Sequence, residues 1–136
     1  MIIKLSKSQL LLTEIMVSIL IFLVTTTVCM LLLFNSAKLT KETIEDDNIY
    51  RISISILEIS LKDGIYGELL TEIYNDGKII NDNKKAFFFD NDFKVTNENN
   101  AIYTFTIEEI EIENDMHEYI VVAYKGEEVY KLSSKN

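Results

Sequence analysis

The chain has 136 residues, 22 of them acidic against 13 basic, for a formal charge of −9. Beyond residue 34 the balance is 21 acidic against 11 basic over 102 residues, a charge of −10 carried by a segment long enough for one small domain. So acidic a surface repels nucleic acid and anionic headgroups, and direct nucleic-acid binding is not expected.

Residues 10–34 form an apolar run, LLLTEIMVSILIFLVTTTVCMLLLF, with one ionisable group, Glu14. As a helix it reaches about 37 Å, enough to cross a hydrocarbon core of about 30 Å with some tilt. Signal-peptide apolar regions are shorter, about 7–15 residues, and need small residues before the cut. Here Asn35 stands three places before a cut after Ala37, and bulky Val28 precedes Cys29, where a lipoprotein cut would fall. The run is therefore expected to stay in the membrane. Lys4, Lys7 and the α-amino group precede it and Lys38 and Lys41 follow it, a small bias that puts the N-terminus in the cytoplasm and the rest outside. Cys29 is the only cysteine, so no intramolecular disulfide supports the downstream domain.

A carboxylate within such a run is costly and by default functional. Near a helix N-terminus the macrodipole favours it, and a cation on a neighbouring helix would favour it more. The bland reading of Glu14 is a side chain resting at the headgroup boundary.

The segment KSQLLLTEIMVSIL, residues 7–20, resembles the start of type IV pilins and of the pseudopilins of type II secretion and competence systems. In that family a short basic leader ends in Gly, and the mature chain opens with an apolar run, often Phe first, whose fifth residue is Glu. Placing Glu14 at that glutamate makes residues 1–9 the leader, Gln9 its last residue and Leu10 the first mature one. The resemblance implies an α+β fold, with a long N-terminal helix packed on a C-terminal antiparallel β-sheet. It implies cutting by prepilin peptidase, a membrane location, and other pilins or pseudopilins as partners through the helix, with Glu14 paired to the N-terminal amine of an adjacent subunit. The role implied is structural and non-enzymatic, without a cofactor: a minor pilin or pseudopilin in a filament, or in its initiating complex, serving adhesion, secretion or DNA uptake. Three positions depart from the pattern: Gln9 replaces the Gly, Leu10 replaces the Phe, and no Pro encodes a helix kink. In an uncut chain Lys7 is the nearest substitute for the missing amine. The alternative is an uncleaved single-pass membrane protein whose extracytoplasmic β domain binds a partner or senses a ligand.

Residues 35–62 lack Pro and Gly, and Ile49, Ile52, Ile56 and Ile59 mark one apolar face, so the helix is expected to continue as an amphipathic one and stop at Asp63-Gly64. Glu42, Glu45, Asp46, Asp47 and Glu58 fill much of the remaining surface. Residues 63–136 are read as the β domain. Residues 66–74 are expected as a strand, joined through Asn75-Asp76-Gly77 to a second strand at 78–80. Residues 81–85 are read as a polar loop, and 86–95, with four Phe, as a core strand. Tyr103, Phe105 and Ile107 alternate, then Ile110 and Ile112 resume on the other parity, which predicts a bulge at Glu108-Glu109. Turns are expected at Asn114-Asp115 and at 125–127, with strands at 119–124 and 129–132, in an antiparallel meander.

No catalytic constellation emerges. His117, the only histidine, has no Cys or second His near it and reads as a half-exposed strand residue, and no metal site is assigned. Asp90-Asn91-Asp92 and Asn81-Asp82-Asn83 offer oxygen atoms but lack the charge and spacing of a calcium loop. Glu108, Glu109, Glu111 and Glu113 read as a solvated face that discourages edge pairing.

Overall fold

A computed structural model describes residues 6–75 and 77–136. Helix α1 spans Lys7–Asp63 without a break, as expected from 57 residues that contain neither Pro nor Gly. It ends where Gly64 takes a left-handed φ of +76° and its N–H donates to the Ser60 carbonyl at 2.9 Å, a stop that a side chain with Cβ adopts poorly. The chain divides into two compact units, one up to Ile44 and one of Glu45–Asn136.

In the first unit every described residue lies on or just before α1 and is exposed. Its stretch is long and apolar enough to cross a membrane, and none of it is buried within the chain.

In the second unit the last turns of α1 pack on a five-stranded antiparallel sheet of order β1-β2-β3-β4-β5. The strands are β1 (Lys78–Asn81), β2 (Lys84–Phe89), β3 (Tyr103–Ile112), β4 (Met116–Lys125) and β5 (Glu127–Lys135). This is the α+β architecture, a long helix on an antiparallel meander, that the N-terminal resemblance implies. Ile49 and Ile56 are buried on the helix, Ile52 and Ile59 half-buried beside them, and Leu57 joins the core. Ser53 and Ser60 are also buried, and their small side chains let the helix approach the aromatic sheet closely.

Register explains how the sheet face is filled. Phe87 lies opposite Phe105, which lies opposite Ala123, and Ile107 lies opposite Val121, so one parity of three strands points to the helix. Phe89 meets Phe105 edge-on at 5.1 Å between ring centres, and Tyr74 meets both Phe87 and Phe89 at 5.7 Å. Each such side chain contributes about 1.5–3 kcal/mol by leaving water. No disulfide is needed.

Several expectations are corrected. Residues 66–74 do not form a strand: Glu68–Tyr74 is a short helix, α2, whose buried residues Leu70 and Tyr74 are four apart. The spacing of what is buried overrode the apparent alternation, and Glu and Leu favour helix in any case. Asn75, with φ +62°, then ends α2, and Gly77 leads into β1; Asp76 of the expected hairpin turn lies outside the described residues. The first hairpin is instead β1 with β2, and the polar loop expected over 81–85 shrinks to the turn Asp82-Asn83, because Asn81 pairs with Lys84 and Lys84 and Lys85 belong to β2.

The aromatic strand is shorter than expected. It ends at Phe89, because Asp90 Oδ1 accepts the N–H groups of Asp92 and Lys94 at 2.9 and 3.0 Å and folds the chain into a turn. Phe93, left-handed at φ +58°, stacks on Tyr103 at 4.3 Å, and Val95 returns to bridge Phe89.

The bulge at Glu108-Glu109 is absent. Strands β3 and β4 pair in unbroken register from Thr104 to Ile112, and the shifts fall elsewhere, between Ile79 and Asn81 and between Ala123 and Tyr124. Ile110 and Ile112 change parity because they belong to the outer face of the sheet, where Ile110 is 37% exposed.

The acidic ladder is therefore divided between faces. Glu108 shares the outer face, while Glu109 follows Ile107 on the inner one. It also does not mark a sheet edge over its first part: Glu108 pairs with Lys84, and the Glu109 N–H donates to the Asn83 carbonyl at 2.8 Å.

Candidate assembly site

The residues singled out at the N-terminus, Gln9, Leu10 and Glu14, fall in the first turns of α1. The helix is opened by a reciprocal cap. Gln9 N–H donates to Ser6 Oγ at 3.3 Å, and Ser6 N–H donates to Gln9 Oε1 at 3.0 Å. This is a capping box, in which Ser and the Gln three residues on satisfy backbone donors that an open helix end leaves free. Leu10 N–H donates to the Ser6 carbonyl at 3.0 Å, so the Gln9–Leu10 peptide lies inside the first helical turn. The sequence signal was the motif Ser-x-x-Gln directly ahead of an apolar run, which the reading of Gln9 as a leader end left unused.

The polar side chains of the apolar stretch divide into two kinds. Thr13, Ser18, Thr25, Thr26 and Thr27 each donate their hydroxyl to the carbonyl four residues back, at 2.8–2.9 Å. They need no partner in lipid, because the helix itself satisfies them. Glu14 is different. Among the described residues its exposed carboxylate has no hydrogen bond or ion pair, and neither does the Lys7 ammonium. Seven residues separate the two, about 10 Å along the axis and about 20° around it. On the same side as Glu14, within a stripe about 60° wide, stand Ser18, Thr25, Cys29 and Ser36, interleaved with Leu11 and Leu32.

Several polar groups of the second unit are engaged with one another. Lys125 Nζ reaches Glu45 Oε1 at 2.6 Å and lies 5.4 Å from the centre of the Tyr103 ring, tying the end of β4 to the helix. The Glu45 carboxylate is the main cause that raises the Lys125 ammonium above its ordinary value. Burial, then Glu45, raises the Tyr103 phenol. Tyr119 donates to Glu109 Oε1 at 3.1 Å and is raised by burial and then by that carboxylate. His117, half-exposed at the start of β4 as expected, has Nδ1 3.0 Å from the same oxygen. Asp90 is committed to its own turn, and the Asn81 and Asp82 carbonyls accept the Tyr66 hydroxyl at 3.0 and 2.6 Å.

Two open clefts, of about 640 and 510 Å³, flank the Lys78–Glu98 ion pair on the outer side of β2. Lys78, Ile79, Phe88 and Glu98 line both, and the only charged groups among the described lining residues are the two that pair with one another. Neither cleft gathers a nucleophile with a base.

No family model, no curated protein and no solved structure matches this chain.

Proposed function

We propose that the chain is a non-enzymatic structural subunit, a minor pilin or pseudopilin, held in the membrane by α1 and built into a pilus-like filament or the complex that initiates one. Its N-terminus is cytoplasmic and its sheet-bearing unit extracytoplasmic. The observation that carries this reading is the Glu14 carboxylate. A mere anchor needs apolar length alone, and an ionised group costs up to about 3 kcal/mol at the middle of a membrane helix, less towards its end. Every hydroxyl in the run is met by its own backbone, whereas Glu14 is met by nothing among the described residues. A cation on a neighbouring helix would complete it. The small residues beside Glu14 on one stripe allow such a helix to approach, and the long helix packed on an antiparallel meander is the architecture that the family resemblance implies.

The test is Glu14→Ala in the native host. Loss of filament assembly, or of capture of the other pilins, at unchanged protein level supports the proposal; unchanged assembly overturns it.

One observation favours the second reading, an uncleaved single-pass protein whose β domain binds a partner. The Ser6–Gln9 cap gives Gln9 a structural task at the position where the family's leader ends in Gly. The intact mass of the membrane-extracted protein, co-expressed with its prepilin peptidase, separates a cut chain from an uncut one.

A further inference from the structure

We propose that the outer face of the sheet docks on the same face of a second copy of this chain, the two sheets stacking into a closed pair. The inference stands apart from the Glu14 reading, because it draws on the second unit alone.

Both α-helices of that unit lie against the inner face: α1 buries Ile49 and Ile56 there, and Tyr74 of α2 meets Phe87 and Phe89. The outer face is left without an α-helix, yet its residues are those of a covered one. An antiparallel sheet with one wet side alternates apolar with polar, whereas a strand covered on both sides reads as a continuous apolar run. Residues 119–124, YIVVAY, are such a run. Tyr119, Val121 and Ala123 serve the core, while Ile120, Val122 and Tyr124, half-buried, point the other way. Phe88 and Ile110 extend the patch onto β2 and β3.

Charge decides what covers it. The second unit holds 20 acidic and 9 basic residues, a charge of −11. On its outer face, register places Lys84 opposite Glu108 and Lys135 opposite Glu118, Lys78 pairs with Glu98 at 2.8 Å, and Lys131 and Glu128 stand on the same side of β5. Four lysines meet four glutamates there, so the whole of the −11 lies on the remaining surface. A basic partner would be drawn to that surface. A second copy is repelled by it, and the neutral apolar face is the side from which another chain this acidic can approach.

The area suffices. Strands β2 to β5, at a spacing of about 4.8 Å and with about 30 Å of length, present about 600 Å² per copy and about 1,200 Å² for a pair, the lower end of specific interfaces. Each copy offers the same patch, so the contact is isologous and closes at two, with the sheets about 10 Å apart.

The full chain in dodecyl maltoside provides the test. Sedimentation velocity at micromolar concentration should give the protein mass of two chains. Val122→Lys should weaken the pairing about tenfold or more by placing a charge in the dry centre of the contact, and Glu14→Ala should leave it unchanged. A circular dichroism spectrum like that of the wild type establishes that the lysine variant has folded. In a Cys29→Ser background, Ser133→Cys on the outer face should be joined between copies by a short bis-maleimide linker, and Glu58→Cys, exposed on α1, should not. This comparison holds whether or not the lysine variant folds. A wild type that sediments as one chain overturns the proposal, as does equal linking at the two positions. Pairing that is lost in Glu14→Ala but kept in a folded Val122→Lys belongs to α1, which overturns the sheet contact and leaves the assembly reading standing.

Discussion

Single residues in this chain are decided by whether their polar atoms find partners. Ser53 and Ser60 are fully buried in the helix-to-sheet interface, and their Oγ atoms have no hydrogen-bond partner among the described residues. A buried unsatisfied hydroxyl costs about 1–3 kcal/mol, whereas the methyl group of Ala fits the same space. Ser53→Ala is therefore expected to leave the thermal midpoint unchanged or raise it by several degrees, measured by circular dichroism on the full chain in detergent. A large drop would mean that the hydroxyl has a partner. Glu14 is the same problem in the opposite setting, a polar group with no partner among the described residues on a helix surface read as lying in lipid.

At the scale of elements, burial and turn chemistry divide the work. Ile56 is fully buried while Ile44, three turns earlier on the same helix, is exposed. Ile56→Ala should cost about 2–5 kcal/mol through lost transfer energy and a residual cavity. For a unit of this size that lowers the midpoint by about 10 °C or more. Ile44→Ala should stay within about 0.5 kcal/mol, so equal losses from the two would contradict the packing described. The β3–β4 hairpin turns through Asn114 and Asp115, both left-handed at φ +68° and +61°. Because a side chain with Cβ is strained there, Asn114→Gly should cost nothing or stabilise by up to about 1 kcal/mol, whereas Asn114→Val should destabilise. Denaturant midpoints at constant slope would separate the three cases.

For the whole molecule, the shifted groups predict an alkaline limit. Tyr103, Tyr119 and Lys125 all hold their protons more tightly when folded than at their ordinary values of 10.0 and 10.5. The stability linked to them is thus present at neutral pH. It is lost as the pH rises through about 10 towards the folded values, because the unfolded chain releases those protons first. The thermal midpoint of the full chain in detergent should be level from about pH 7 to 9 and fall above 10. In the folded protein, absorbance near 295 nm should show part of the seven tyrosines ionising late. A single transition for all seven at the ordinary value would remove the basis for this expectation.

The sequence alone determined what depends on local chemistry and on long, regular patterns. The apolar run, the unbroken helix to Asp63, the isoleucine face, the stop at Gly64 and the meander with turns near 114 and 126 follow from period, length and backbone freedom, and all are present in the structure. Glu14 stood out for the same reason, as one charge in 25 residues. Tertiary structure decided what depends on which face meets which. Residues 68–74 alternate acceptably as a strand, and only the need to bury Leu70 and Tyr74 together makes them a helix. The parity change at Ile110 looked like a bulge because exposed and buried isoleucines are identical in sequence; it is an exchange of faces in a continuous strand. The Glu45–Lys125 pair joins residues 80 apart, and no local pattern encodes it. That Glu14 has no partner among the described residues is likewise a fact of the fold, since no local pattern says which side chains come within its reach.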